Sequence, residues 1–304
     1  MRAPIAMAPT GIFEKSSESV EDPDRPDGRR DQLAPFLKWA GGKRSLLTEL
    51  MQFVPRSIDV YHEPFVGGGA LFFELARQQR FKKARLADRN EELIRCYAAI
   101  KRDHRQVLAA LAGHRYDESA YYRVRELDPA DLTDAVSAAR TIYLNRCGFN
   151  GLYRVNASGR FNVPFGHYVN PRLVNPRRIE LVSAALQNTE LIVADFEQAV
   201  AGVTTDDFVY CDPPYVPVSA TSKFTSYASA GFTQADQERL GRLLRRLREE
   251  KVRVLLSNSD CPVTRKLYRG LRPRAVGVRR SINSDGAKRG LVSELMVRSF
   301  NYSC

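Results

Sequence analysis

The apolar residues of this chain fall into short blocks, and their period changes along the sequence. Ile58 to Val66 reads as a strand that ends at Gly67-Gly68-Gly69. Ala70 to Gln79 then has helical spacing, Ala84 to Ala87 reads as a second strand ending at Asp88, and Asn90 to Ile100 starts another helix. Strand character returns at Leu191 to Ala194, at Asp207 to Cys211 and at Val252 to Leu256. Between the last two lies an amphipathic helix, Asp236 to Glu250, with Leu240, Leu243, Leu244 and Leu247 on one stripe and arginines opposite. That leucine run is too short for a zipper and reads as core packing. Arg274 to Ile282 and Val292 to Phe300 alternate as an antiparallel closing pair.

Strand, glycine turn, helix, strand is the opening of a nucleotide-binding α/β sheet. The predicted fold is α/β: an open, mostly parallel, Rossmann-like sheet with an antiparallel edge pair. A largely helical insert interrupts it. Residues 101–189 differ in character, with helical stretches at Arg105 to Ala112 and Ala135 to Leu144 before a loop rich in Asn, Gly, Arg and aromatics. Residues 1–33 are polar, aperiodic and rich in turn residues, which predicts a disordered tail. The expected division is a tail at 1–33, a core domain at 34–100 and 190–304, and an insert at 101–189.

Charge sharpens the picture. The 304 residues carry a formal net charge of +12. The tail holds five Lys/Arg and seven Asp/Glu, so the folded body is more basic still. A body of that charge suits a polyanion, nucleic acid first, although solvated Arg-rich faces would give the same count. The five cysteines are scattered and the four histidines make no zinc spacing with them. No run reaches membrane-spanning length, and the N-terminus lacks a signal-peptide core. These features predict a cytoplasmic protein with reduced thiols and no metal, acting as a monomer away from membranes.

The candidate chemistry centres on Asp212-Pro213-Pro214-Tyr215, directly after an apolar strand. The Asp212 side chain can accept one proton of an amino group and the Pro213 carbonyl the other, while two prolines stiffen the turn. Tyr215 can stack on a flat heterocycle. An ordinary Pro-rich turn with a packed Tyr is the alternative. The glycine turn lets a ligand approach the backbone, and Asp88, at the end of the next strand, stands where a carboxylate holds ribose hydroxyls. No Walker-type run follows, so the expected ligand has a ribose and needs no phosphate cradle; S-adenosylmethionine fits. Upstream, Phe36-Leu37-Lys38-Trp39-Ala40-Gly41-Gly42-Lys43 contains the single Trp, which could cover that ligand or simply anchor an N-terminal cap.

In this order the pieces resemble the α-group amino-methyltransferases of DNA, in particular the DNA adenine methylase (Dam) family. The stretches that carry the resemblance are Phe36–Lys43, Glu63–Gly69, Leu86–Asn90, Asn145–Tyr168, Tyr210–Tyr215 and Arg279–Ser284. The resemblance implies a site-specific adenine methyltransferase on double-stranded DNA, with a methyltransferase sheet and S-adenosylmethionine as cofactor. Asp212, Pro213 and Tyr215 would be catalytic. Trp39, Lys43, Phe65, Gly67, Gly69, Asp88, Asp195, Phe196 and Asp212 would line the cofactor site. The target adenine would be flipped out of the duplex, with its amino nitrogen made more tetrahedral by the Asp212 and Pro213 acceptors. No Pro-Cys dipeptide is present, which disfavours attack on a cytosine ring.

The segment 145–168 offers the groups for reading bases, since Arg suits guanine edges and Asn suits adenine. By resemblance Phe149 replaces an intercalating aromatic, usually Tyr, and Asn150 lies beside the orphaned thymine. Arg154 would read guanine, and Leu152 and Pro164 would give apolar contacts, which together read GATC. Lys38 and Tyr168 are expected at the DNA as well. Residues 265–289 carry nine Lys/Arg against one acid, so Arg279 and Arg280 suit phosphate contacts. Two other readings remain at this point: an amino-methyltransferase for RNA or protein, and a DNA-binding protein without catalysis.

Overall fold

The computed structural model describes residues 32–39, 41–43, 46–156, 158–169, 171–217, 231–279 and 291–301. Most of the expected tail, Arg280 and residues 281–290 lie outside them, as do the side chains of Arg279 and its neighbours at the strand ends.

The chain runs α1 (Leu47–Met51), β1 (Ile58–Glu63), α2 (Ala70–Arg77), β2 (Phe81–Asp88), α3 (Glu91–Ala112), α4 (Glu118–Glu126), α5 (Asp134–Cys147) and α6 (Pro176–Ala185). It continues with β3 (Thr189–Val193), α7 (Phe196–Ala199), β4 (Phe208–Cys211), α8 (Gln234–Glu249), β5 (Arg253–Ser259), α9 (Pro262–Leu267), β6 (Arg272–Arg279) and β7 (Leu291–Arg298). The sheet order is β3-β2-β1-β4-β5-β7-β6. The first five strands in that order are parallel, and β7 pairs antiparallel with both β5 and β6. This is the open, mostly parallel sheet with an antiparallel edge that the strand pattern predicted. The chain leaves β1 toward β2 and β3 on one side and returns to β4 on the other. That reversal opens a crevice at the C-terminal ends of β1 and β4, where ligands of such sheets bind.

Apolar side chains cover both faces. One cluster joins Leu50, Phe72, Tyr97, Ile100, Ile142 and Val182, from α1, α2, α3, α5 and α6. The other lies under α8, where Leu240, Leu243, Leu244 and Leu247 meet Val209, Val254 and Leu256. Thr233 and Asp236 close a capping box at the start of α8, so the helix begins two residues before the leucine pattern suggests. α3 joins the two stretches read separately at Asn90 to Ile100 and Arg105 to Ala112, with one non-helical residue, Asp103 (φ −156°, ψ 87°), between them. α5 packs along α3, and every residue from Ser137 to Cys147 is buried. A helix covered on all sides has no polar face, and its hydrophobic period is correspondingly faint.

Several boundaries differ from the sequence reading. β1 stops at Glu63 rather than Val66, because Pro64 has no N–H to continue the ladder. β2 starts at Phe81, before the exposed Lys82 and Lys83 that mask its pattern. β5 runs on through the polar Ser257, Asn258 and Ser259, which pair with β7. α4 and α6 were not anticipated; Asp117 and Asn175 cap them. Among the described residues no helix is long and apolar enough to cross a membrane.

Leu244 is fully buried between α8 and the sheet. Leu244→Ala is expected to lower unfolding free energy by about 2–5 kcal/mol, read as a fall in the urea midpoint at constant m-value.

Candidate active site

β4 is a four-residue apolar strand, and the chain turns out of it at Asp212-Pro213-Pro214-Tyr215. Prolines donate no backbone hydrogen bond, so neighbouring side chains stitch the turn. Gln237 Nε2 on α8 donates to the Pro214 carbonyl (2.7 Å). The Val216 N–H donates to Asn258 Oδ1 (3.1 Å), and Ser259 Oγ donates to the Val216 carbonyl (2.7 Å). Asn258 Nδ2 also donates to Gln237 Oε1 (3.3 Å), which links β5 to α8 beneath the turn.

Asp212 is held by charge and by hydroxyls. Lys43 Nζ lies 2.8 Å from Asp212 Oδ1, and Ser257 Oγ donates to the same oxygen at 2.8 Å. Lys43 also donates to the Gly41 carbonyl (2.6 Å) and sits 4.6 Å above the Tyr215 ring. The Tyr215 hydroxyl donates to Glu294 Oε2 on β7 (2.7 Å). Burial pushes the Asp212 carboxyl above its ordinary range, while Lys43 and Ser257 pull it back. At the end of β1, Glu63 Oε2 accepts from the Tyr61 hydroxyl (2.9 Å). Burial raises Glu63 well above the carboxylate range, and the charge of Asp212 adds to that effect.

The glycine turn is fixed by the end of the next strand. The Gly67 N–H donates to Asp88 Oδ2 (3.1 Å) and the Asn90 N–H to Asp88 Oδ1 (3.0 Å). The Tyr97 hydroxyl donates to the Gly67 carbonyl (3.1 Å). Gly67 has φ +46°, and a Cβ there would fall 2.7 Å from Cδ1 of Trp39, so the indole needs a bare backbone to pack against. Gly69, also left-handed, precedes the first turn of α2. Burial raises the Asp88 carboxyl, and the backbone N–H groups oppose the rise. Nearby, Phe65 stacks on Phe196 with centroids 5.5 Å apart, and Phe232 meets the edge of Phe65. Asp195 caps α7 and pairs with Arg239 (2.7 Å), whose guanidinium lies 4.8 Å over Phe196.

The segment that follows α5 is bolted to the loop at 36–43. Asn145 Oδ1 accepts from the Lys38 N–H (2.8 Å), and Asn145 Nδ2 donates to the carbonyls of Lys38 (2.6 Å) and Gly151 (3.0 Å). Trp39 stacks on Tyr153 (5.2 Å, 26°), and the Tyr153 hydroxyl donates to Glu92 Oε2 on α3 (3.0 Å). The Lys38 ammonium lies 4.7 Å over the Tyr168 ring, and the Tyr168 hydroxyl donates to the Gly148 carbonyl (3.0 Å).

Beyond this bolt the chain turns outward. Phe149 is 50% exposed, and Asn150 is exposed with φ 55°. The Phe149 N–H donates to the Pro164 carbonyl (2.8 Å), and bridges Gly148 to Phe165 and Val155 to Phe161 close a small hairpin. Arg154 is exposed; its Nε donates to Asn162 Oδ1 (2.7 Å) and its NH2 to the Asn162 carbonyl (3.2 Å). Pro164 is exposed and Leu152 half-buried. Asn145, Arg146 and Cys147, at the start of the same segment, are buried.

The crevice therefore gathers Lys43, Asp212, Pro213 and Tyr215 at the end of β4. Trp39, Phe65, Gly67, Gly69 and Asp88 lie around the ends of β1 and β2, with Asp195 and Phe196 after β3. Phe149, Asn150, Leu152, Arg154 and Pro164 belong to the outward hairpin, and Lys38 and Tyr168 pack on each other at its base. Arg279 ends β6, and the described residues do not include Arg280. Sequence reasoning missed Ser257, Asn258, Gln237, Glu63 and Glu294. The available signal was a polar Ser-Asn-Ser closing an apolar strand, and a lone Glu in the apolar run Leu291 to Val297.

Residues 39–282 match the model of the D12 class N6 adenine-specific DNA methyltransferases. The type II methyltransferase M1.LlaDCHI of Lactococcus lactis subsp. cremoris is 41% identical, covering 88% of this chain and 96% of the relative. The type II methyltransferase M.MjaIII of Methanocaldococcus jannaschii is 38% identical, covering 88% of this chain and all of the relative. The DNA adenine methylase of Escherichia coli K12 is 37% identical, covering 86% and 93%.

Asn145→Ala removes all three hydrogen bonds between Lys38, Gly151 and α5. The expected outcome is a stability loss of about 2–3 kcal/mol in urea, with red-shifted emission from Trp39. The single Trp in the chain makes that emission a specific reporter of the loop.

Proposed function

The chain belongs to the D12 class of N6 adenine-specific DNA methyltransferases, and from that premise we propose that it methylates the exocyclic amino group of a flipped adenine within GATC, using S-adenosylmethionine. Residues 34–100 and 190–304 would form the catalytic domain and residues 101–189 the insert that meets duplex DNA. The observation that carries the reading is the Asp212 carboxylate at the end of β4, with the Tyr215 ring beside it and a basic body around it.

The residues of the crevice fit the cofactor chemically. Asp88 accepts backbone N–H groups from Gly67 and Asn90, with Arg89 adding to them, and its two oxygens still offer acceptor capacity for a ribose hydroxyl. The Phe65–Phe196 stack offers an aromatic wall for an adenine ring, and Asp195 stands beside it as an acceptor. Lys43 and Trp39 would hold the methionine part, the ammonium pairing with its carboxylate. Gly67 and Gly69 let the ligand lie against the backbone. When bound, S-adenosylmethionine supplies an electrophilic methyl group.

The amine of adenine is a weak nucleophile, because its lone pair is delocalised into the ring. In the proposed mechanism the amino group donates one hydrogen bond to Asp212 and the other to the Pro213 carbonyl. The nitrogen then becomes more tetrahedral and its lone pair turns out of the ring plane. Tyr215 stacks on the base, which needs the Lys43 ammonium to leave the ring face. The enzyme's contribution is position and a fixed electrostatic environment. Extracting the base costs a few kcal/mol of stacking and pairing. Phe149 would wedge into the space it leaves, and Asn150 would meet the orphaned thymine. Arg154 would read guanine, with Leu152 and Pro164 in apolar contact. Lys38, Tyr168, Arg279 and Arg280 would follow the backbone. The protein would work as a monomer in the cytoplasm.

Purified protein is expected to methylate duplex DNA at GATC, and methylome sequencing of a methylation-free host expressing it reads the site directly. A methylated motif other than GATC would refute the sequence assignment alone; no adenine methylation would refute the activity. Asp212→Ala is expected to abolish transfer while leaving DNA binding intact, which gel-shift and tritiated-methyl assays separate. Arg154→Ala is expected to relax preference at one base pair by about 1–3 kcal/mol. An unchanged preference would remove Arg154 from base reading.

A further inference from the structure

We infer that Ser257, backed by Tyr210, is a positioning residue for this reaction: its hydroxyl holds one carboxylate oxygen of Asp212 inward and leaves the other to accept the amino proton of the base. The inference rests on the reading of Asp212 given above.

The register puts Ser257 in place. β4 and β5 pair in parallel with Tyr210 opposite Leu255 and Cys211 opposite Leu256. Ser257 is therefore level with Asp212, one step beyond the last β4 residue. It is fully buried in a strand that is otherwise Val254, Leu255 and Leu256 on its approach. A buried hydroxyl at that depth is costly unless both its donor and an acceptor site are used. Here they are. Ser257 Oγ gives its only proton to Asp212 Oδ1 (2.8 Å), so at its 3.0 Å contact with Tyr210 the phenol must be the donor. The relay has one direction, from Tyr210 through Ser257 to Asp212.

Lys43 converges on the same oxygen. Among the described residues no hydrogen bond reaches Oδ2. The carboxylate is thus pinned at one end, and its open end is the one free to meet a ligand. Without Ser257 a single contact, from the Lys43 ammonium, would remain, and one contact leaves the carboxylate free to rotate about it. The hydroxyl also favours the charged form of Asp212, which burial opposes. The other titratable groups facing Asp212 are Lys43 from the loop before α1, Glu63 from β1, Tyr210 and Cys211 from β4, and Tyr215 from the turn. Glu294 on β7 acts through Tyr215. Ser257→Ala leaves all of them in place.

The test is steady-state methylation of a GATC duplex by the full chain over about pH 5 to 9. Ser257→Ala is expected to lower kcat about 10- to 100-fold with both KM values unchanged. Losing a donor to the charged form raises the Asp212 pKa, so the acid limb of kcat moves up, by about one pH unit. Ser257→Thr restores the hydroxyl and is expected to restore both rate and limb. An unchanged kcat in Ser257→Ala overturns the inference. So does a fall of equal size in both variants with no movement of the acid limb, since that is the signature of packing. Should Ser257→Ala fail to fold, Tyr210→Phe carries the test: a smaller fall with the limb moving the same way supports the relay, and no movement overturns it. Asp212→Asn runs alongside. If that variant keeps full transfer, the reading of Asp212 is wrong; if it is inactive while Ser257→Ala behaves as the parent, only the role of Ser257 is wrong.

Discussion

The Asp212 carboxylate stands at the end of a buried strand, and its neighbours Lys43 and Ser257 favour its charged form. Taking Asp212 out of water costs several kcal/mol, and the rise in its pKa is the visible trace of that cost. A charge-assisted hydrogen bond returns about 1.5–3 kcal/mol, so one partner does not suffice. Lys43 comes from the loop before α1 and Ser257 from β5, and each reaches the same oxygen. Glu294 on β7 holds the adjoining Tyr215 from the far side. The antiparallel edge thus has a use at the site: β7 runs down against β5 and delivers a carboxylate where a parallel sheet alone would end in loops.

A second constraint joins this crevice to the hairpin that points away from it. Asn145 fixes both the Lys38 backbone and the Gly151 carbonyl, while Trp39 lies between the glycine turn and Tyr153. The same short loop therefore touches the end of β1, the Asp212 carboxylate and the base of the outward hairpin. Gly67 must be bare for the indole to sit there, and Glu92 on α3 anchors the other side through the Tyr153 hydroxyl. Position at one end of this assembly is set by packing at the other, with no long flexible linker between.

The sequence carried more of this than its separations suggest, and the reasons differ by element. Most of the parallel strands were legible as brief apolar blocks, those of β1, β2, β3 and β4 ended by Gly, Asp or Pro. Asp88 and Asp212 were legible because they stand at those ends. α4 and α6 were not, being short and polar, with caps rather than a stripe to mark them. The pairing of Lys43 with Asp212 could not be read, since it joins the first loop to the fourth strand and no local pattern encodes a distant contact. Ser257 and Glu294 were hidden for a related reason: a polar residue in a strand reads as a weakness until its partner is known. Asn145 opens the segment expected to read bases, but it is buried and bolts that segment to the Lys38 loop.

The segment 145–168 divides into a buried start and exposed tips. Asn145, Arg146, Cys147 and Gly148 are buried, and changing them costs folding energy. Phe149, Asn150, Arg154 and Pro164 are exposed, so their replacement costs the fold little. Relatives named as type II methyltransferases and relatives named as DNA adenine methylases match over nearly the same length at 37–41% identity. Asn162 takes the Nε of Arg154 and one proton of its NH2, which leaves NH1 and the remaining NH2 proton directed as a pair. A fork held from behind suits two acceptors side by side, and the residue that holds it lies in the same hairpin. Both residues of that pair lie in the hairpin, apart from Asp212 and its supports.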